Sequence, residues 1–267
     1  MTASGSRAGP AGEGAPDSAG GPPSYAIVIP ARIGSTRLPE KPLLRETGKA
    51  LVQHVVERAR RAPGVSRVVV ATDDGRIEAA VRAFGGEVVR TDPAHESGTS
   101  RCAEVAAGLS EAVVVNVQGD EPAFEPGDLA RLAAAAARPG TDIATLSFPV
   151  RDEAEGARPS VVKVVVRADG AALYFSRAPI PFDRAQDRLA GGALAHVGIY
   201  AFPRARLLEY VRLPAGRLAA IESLEQLRAL EAGWRIQVLP ASRPALGIDT
   251  AEDYRRFVEL VRAGGLA

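Results

Sequence analysis

The sequence predicts an α/β protein with a mostly parallel Rossmann-like sheet and a small mixed lobe over the sheet's ligand edge. Three observations predict it. From Tyr25 to about Val150, short apolar runs suited to buried strands alternate with runs at helical spacing. The first strands end in clusters of charged and small polar residues, at the carboxyl edge where open sheets of this kind bind ligands. After Val150 the rhythm changes to paired strand-like runs around a turn signal, the mark of a separate antiparallel piece.

Tyr25 to Ile29 is apolar throughout, as a parallel strand buried on both faces requires. "ALVQHVVERARRA" sets Leu51, Val55, Val56 and Ala59 at helical spacing, and "VSRVVVATDD" reads as a strand ending in acid. "GRIEAAVRAFGG" is a helix stopped by glycines, "EVVRTD" a short strand and "GTSRCAEVAAGL" a helix. "EAVVVNVQGDEP" is a strand, and "PGDLARLAAAAARPG" a helix with proline at its start and glycine after its end. Beyond Val150, "SVVKVVVRADGAALYFSR" is a hairpin about Ala168-Asp169-Gly170, and "LAHVGIYAF" a further strand. Two helical patterns follow, "ARLLEYV" and "AAIESLEQLRALEAG", then the strand "WRIQVLPA" and the helix "TAEDYRRFVELVRA". Residues 25–267 are therefore read as one domain: 25–150 as the mostly parallel sheet, about 151–233 as the lobe, and 234–267 returning to the main sheet.

Composition narrows the partners. The chain of 267 residues carries 33 Lys and Arg against 32 Asp and Glu, so no global field draws it to nucleic acid or to an anionic membrane, and any phosphate recognition is local. One cysteine, Cys102, excludes an internal disulfide framework and any multi-cysteine metal site, and it reads as buried filler in a helix. Residues 1–24 are almost entirely Ala, Gly, Ser, Pro and a few charges, the composition of a disordered tail. They lack the apolar core of a signal peptide, and no stretch approaches the ~18 apolar residues of a membrane helix. Cytoplasmic placement is expected by elimination.

Three constellations carry chemistry. The loop after the first strand, "PARIGSTRLPEKPL", holds Arg32, Ser35, Thr36, Arg37 and Lys41, a set suited to phosphate, or else a solvated basic loop. It lacks the glycine patterns of dinucleotide-binding and P-loop folds, so its grip on phosphate would use side chains as well as backbone. In "VVVNVQGDEP" a buried strand runs into Gln118, Asp120 and Glu121, where Asp120 is placed to hold Mg²⁺, or to cap the turn. In "GIDTAED" Thr250 can cap the final helix with Asp253 three residues on, which leaves Asp249 free for a metal.

Together, "PARIGSTRLPEKPL", "SGTSR", "NVQGDEP", "YFSR", "HVGIY", "ESLEQLR" and "GIDTAED" resemble the 3-deoxy-manno-octulosonate (Kdo) cytidylyltransferases, the CMP-Kdo synthetases of bacterial lipopolysaccharide synthesis, from about Tyr25 to Phe257. The first and fourth motifs occur in looser form across sugar nucleotidyltransferases, whereas "QGDEP", "YFSR", "HVGIY" and "LEQLR" in combination are far more specific. The resemblance implies a fold of the nucleotide-diphospho-sugar transferase type and transfer of CMP from CTP to Kdo with Mg²⁺ as cofactor. Arg32 and Lys41 would bind and polarise the phosphates, with Ser35 and Arg37 in support. Pro30, Ala31 and the residues Ser97, Gly98, Thr99 and Arg101 would form the cytosine pocket, and Gln118 would hold the nucleoside. Asp120 and Asp249 would share the metal. Arg177, His196, Tyr200, Glu225 and Gln226 would hold the sugar acid.

Ordinary readings stand beside these. His196 and Tyr200 share a strand face and could be packing residues, and Glu225 and Gln226 could be the solvated side of a helix whose Leu224, Leu227 and Leu230 face the core. Glu40 departs from the glycine frequent in the family between Pro39 and Lys41. A homodimer is implied, with Leu207, Leu208 and Val211 offering an apolar face. The alternatives for the whole chain are a cytidylyltransferase for another acidic sugar, such as 8-amino-Kdo or a sialic-acid-like sugar, and a catalytically silent nucleotide-binding protein; the latter would be expected to lose Lys41 or Asp120, and both are present.

Overall fold

Tyr25–Pro30 forms strand β1, the axis of the sheet, with all six residues buried. Its neighbours are both parallel: β2 (Val65–Thr72) on one side and β4 (Val113–Asn116) on the other. The all-apolar run is thus explained by helices covering both faces, and each fully buried Val or Ile contributes roughly 1.5–3 kcal/mol. The computed structural model describes residues 24–34, 37–184, 192–244 and 246–266. The tail expected over residues 1–24 lies outside the described residues apart from Ser24, and so does Ser35.

Among the described residues nine strands form one sheet. β3 (Glu87–Arg90) extends it beyond β2. On the other side of β4 come β8 (Leu194–Pro203), β5 (Ile143–Pro149) and β9 (Ile236–Pro240) in that order. All these pairings are parallel except those of β8, which runs antiparallel to both β4 and β5. The hairpin read from "KVVVRADGAALYFS" is present as β6 (Lys163–Val166) and β7 (Ala172–Ser176), with β6 hydrogen-bonded to the first residues of β8.

Helices α1 (Leu51–Ala59), α2 (Gly75–Ala83) and α4 (Pro126–Ala136) pack on one face around Ile27, Ile29, Val115 and Ile199. On the other face lie α3 (Gly98–Ala107), α6 (Arg204–Tyr210) and the hairpin, around Val28, Val114, Phe175 and Phe202. A short helix, α5 (Glu153–Ala157), precedes the hairpin. The last helix, α9 (Ala251–Arg262), opens on the expected box, the Thr250 side chain accepting from the Asp253 N–H and the Asp253 carboxylate accepting from the Thr250 N–H.

Two features differ from the sequence reading. The run "LAHVGIYAF", expected in the lobe, is a central strand of the main sheet: it is ten residues long, so its first half carries the hairpin while its second half, almost wholly buried, fills the gap between β4 and β5. The helix expected over "AAIESLEQLRALEAG" is two short ones, α7 (Arg217–Glu222) and α8 (Leu227–Glu231), because Ser223 adopts the left-handed conformation (φ 51°, ψ 49°) and ends the first. Glu225 and Gln226 consequently lie in the connection rather than on a helix face, while Leu224 and Leu227 are buried as expected. Of the apolar face proposed for a two-fold contact, one residue is lost to the interior and two are only partly buried. Leu207 is fully buried in the chain's own core, with Leu208 and Val211 packed against it.

Candidate active site

The ends of β1 and β4 and the start of α3 enclose a cavity of about 300 Å³. Its wall includes Pro30, Ala31, Arg32, Arg37, Lys41, Ser97, Gly98, Arg101, Gln118, Asp120 and Asp249, so eleven residues singled out from four distant motifs meet here. Close backbone approach makes the meeting possible. A Cβ at Gly119 would stand 2.9 Å from the Pro30 carbonyl oxygen, and one at Gly98 would stand 3.1 Å from both the Gln118 amide oxygen and the Pro30 ring. Ser97 caps α3, its side chain accepting from the Ser100 N–H, and turns that helix's positive end toward the cavity, an environment that favours anions. His95 also lines the cavity, held by the Glu104 carboxylate at 2.5 Å. Sequence reasoning missed it; its one signal was its place two residues before Ser97.

Lys41 is the hub of the site. Its buried ammonium donates to Asp120 at 2.6 Å and to the Ile248 carbonyl at 2.7 Å, and lies 3.5 Å from Asp249, which Arg37 also meets at 3.2 Å. The first loop, the β4 exit and the approach to α9 are thereby tied at one atom. Arg32 makes no ion pair among the described residues and faces the cavity with its charge uncompensated. Beside the hub, burial and then the charges of Asp120 and Asp249 push the Glu121 carboxyl up to about 8. Among the described residues no group of three His, Cys, Asp or Glu side chains is set to hold a metal. Two carboxylates converging on one cation nevertheless fit Mg²⁺, which takes a few carboxylates and completes its octahedron with phosphate and water.

Glu40 has φ 53° and ψ 25°, the left-handed region that favours glycine, which gives a physical reason for glycine at this place in the family. Its carboxylate turns away from Lys41 and pairs with Arg76 at 2.5 Å, so it does not compete for the ammonium.

Three residues assigned by resemblance are committed elsewhere. Thr99 is buried, and its hydroxyl donates at 2.6 Å to Glu225 in the lobe while accepting from Asn116 at 3.3 Å; Gln118 in turn donates to Asn116 at 3.3 Å. A chain of hydrogen bonds thus joins the wall of the nucleotide cavity to the lobe. Arg177, expected to clamp a carboxylate, donates to three main-chain carbonyls, Glu222 at 2.8 Å, Pro159 at 3.0 Å and Ser223 at 3.1 Å. It secures the end of α7 where Ser223 turns. Arg101 is likewise occupied, by Thr91 and by Asp73 at 3.2 Å.

The other lobe residues gather on the face of α3. The rings of His196 and Tyr200 lie 5.4 Å apart, and the charge of Glu225 adds to burial in raising the Tyr200 hydroxyl well above its ordinary value. Gln226 is buried, and its side-chain nitrogen has no hydrogen-bond partner among the described residues. A buried amide left unpaired costs about 1–3 kcal/mol.

A doubly covered sheet whose carboxyl edge gathers cations beside two carboxylates defines a nucleotidyltransferase, and the chain belongs to the cytidylyltransferase family, whose profile matches residues 26–236. Within that family its relatives are the 3-deoxy-manno-octulosonate cytidylyltransferases. That of Anaeromyxobacter sp. (strain Fw109-5) is 53% identical over 241 residues, covering 90% of this chain and 97% of that one. That of Geobacter sulfurreducens is 45% identical over 249 residues, covering 90% of this chain and all of that one. Among solved structures, CMP:2-keto-3-deoxy-manno-octonic acid synthetase complexed with CTP superposes with a TM-score of 0.85 at 44% identity, over 90% of this chain and 99% of that one.

Proposed function

We infer that this protein transfers CMP from CTP to the anomeric hydroxyl of Kdo, releasing pyrophosphate. The observation that carries the reading is Lys41 bridging Asp120 and Asp249 on the wall of a nucleotide-sized cavity, in a chain whose near relatives bear the name of that reaction. The sugar hydroxyl attacks the α-phosphorus, its proton leaves to solvent, and pyrophosphate departs with the electrons of the broken P–O bond. No covalent enzyme intermediate is needed. Arg32 and Lys41 neutralise charge on the triphosphate, Arg37 and the positive end of α3 add to that field, and catalysis consists of positioning and charge stabilisation. Asp120 and Asp249 would hold Mg²⁺, which when bound supplies Lewis-acid polarisation of phosphate and hydroxyl oxygens.

His196, Tyr200, Glu225 and Gln226 form the sugar side of this proposal, with Arg177 supporting them through α7. Two further parts belong to it. The chain acts in the cytoplasm: among the described residues no helix is long and apolar enough to cross a membrane, and Cys102 is a buried free thiol. It works as a homodimer through the lobe, where among the described residues Leu173, Phe182 and Ile221 are the exposed large apolar side chains. Pyrophosphate release with a panel of nucleotides and acidic sugars tests the reading. CTP with Kdo should be used in preference to UTP, ATP or GTP and to sialic acid or 8-amino-Kdo; equal use of UTP, or preference for another sugar, would refute the corresponding half. Sedimentation as a monomer at micromolar concentration would refute the dimer.

A further inference from the structure

Strands β5 and β8 slip out of register at one point: Thr145 stands opposite Tyr200, and the next residue, Leu146, opposite Val197. Gly198 and Ile199 therefore have no counterpart on β5, and the bulge turns two carbonyls onto one side chain. The fully buried Thr145 hydroxyl lies 2.8 Å from the Ile199 oxygen and 3.2 Å from the Val197 oxygen. The same hydroxyl oxygen is 2.9 Å from Nε2 of His196.

A hydroxyl has one proton, and a carbonyl can only accept. With two carbonyls converging on it, the Thr145 proton is committed to them, so at the third contact the hydroxyl can only accept and His196 must donate from Nε2. The proton on the ring is then fixed, because a neutral imidazole with Nε2–H keeps Nδ1 as an acceptor. Neutrality follows from burial, which pushes His196 down to about 3. Packing fixes the ring itself, set edge-on to Phe175 with centroids 5.0 Å apart and tilted against Tyr200.

We propose that Thr145 is a positioning residue that locks His196 as the Nε2–H imidazole, so that His196 meets the acidic sugar through Nδ1 as a hydrogen-bond acceptor, taking a hydroxyl and rejecting the carboxylate. That the partner is a sugar rests on the reaction inferred above; the lock itself does not. Thr145 had no signal in the sequence, since a threonine inside an apolar strand reads as a packing residue.

The test is a nitrogen–proton multiple-bond NMR spectrum of the imidazoles in the full chain. Its three histidines are few enough to assign with one variant, His196→Gln. The wild type should show His196 with the Nε2–H pattern, Thr145→Val should lose that pattern, and Thr145→Ser should restore it. In parallel, Thr145→Val should raise KM for Kdo by about tenfold, the scale of one hydrogen bond made in the wrong sense, with KM for CTP near that of the wild type and rescue by Thr145→Ser. An Nδ1–H or doubly protonated ring in the wild type overturns the lock, as does a Thr145→Val protein with both tautomer and KM unchanged. If Thr145→Val does not fold, the wild-type spectrum decides alone. A correct spectrum in a protein that ignores Kdo would support the lock and refute the reaction.

Discussion

Lys41→Met keeps the buried stem of the side chain and removes the ammonium that ties Asp120 to Asp249. Two carboxylates each within 3.5 Å of one nitrogen lie no more than about 7 Å apart, and at an effective dielectric near 20 they repel by roughly 2 kcal/mol once it is gone. Their side chains are 34% and 54% exposed, so water screens most of that repulsion, and the net loss of stability should be about 1 kcal/mol. For a chain of this size that is a fall of about 2–4 °C in melting temperature. Activity should suffer far more. Loss of a principal stabiliser of transition-state charge costs about a hundredfold or more in kcat. The assay is pyrophosphate release at saturating CTP and Kdo, run beside a thermal melt. A folded Lys41→Met protein with activity within tenfold of the wild type would show that Lys41 is a structural strut and that the phosphates are neutralised elsewhere.

Asp120→Asn and Asp249→Asn should each lower turnover by at least about a hundredfold with the fold retained, and a Mg²⁺ titration should fail to restore it; wild-type activity in Asp249→Asn would reduce that residue to a partner of Arg37. Thr99→Val matches the shape of a buried side chain but strands the Glu225 carboxylate and the Asn116 amide, so it should cost about 1–3 kcal/mol in a urea melt and raise KM for Kdo more than KM for CTP. The reverse ordering of the two KM changes would place Thr99 at the base after all. His196 has a folded pKa of about 3 against an ordinary 6.5, so the unfolded chain binds its proton first, and stability is lost as pH falls from 6.5 toward 3. The slope from this residue is at most about 1.4 kcal/mol per pH unit, and His196→Gln should flatten the acid limb by that amount. An unchanged limb would mean that His196 titrates like an exposed histidine.

The first half of the fold was legible because its signals are local. Parallel strands buried on both faces are apolar throughout, as in Tyr25–Pro30, and the same locality let Thr250 announce the last helix through its box with Asp253. The place of β8 was not legible, since an apolar strand carries no mark of which neighbours it will pair with. Nor was the break at Ser223, where tertiary contacts with Arg177 override a sequence of good helix formers. On the nucleotide side, residues read from loops that leave strand ends do line one cavity, whereas Thr99 is buried against Glu225 and Ser35 lies outside the described residues. Arg177 on the sugar side and Thr99, assigned to the base pocket, were located but their engagements were not: Glu222 and Glu225 lie 45 and 126 residues away, and only the folded chain reveals that these donors are already engaged.

The joining of CMP to Kdo is visible in phosphorus NMR of the reaction mixture. With protein, CTP, Mg²⁺ and Kdo, the three CTP resonances should give way to one phosphodiester signal, that of CMP-Kdo, and to pyrophosphate in equal amount, with no change when Kdo is left out. CTP that stays intact with Kdo present, or that breaks down to free CMP or CDP whether or not Kdo is added, would contradict it.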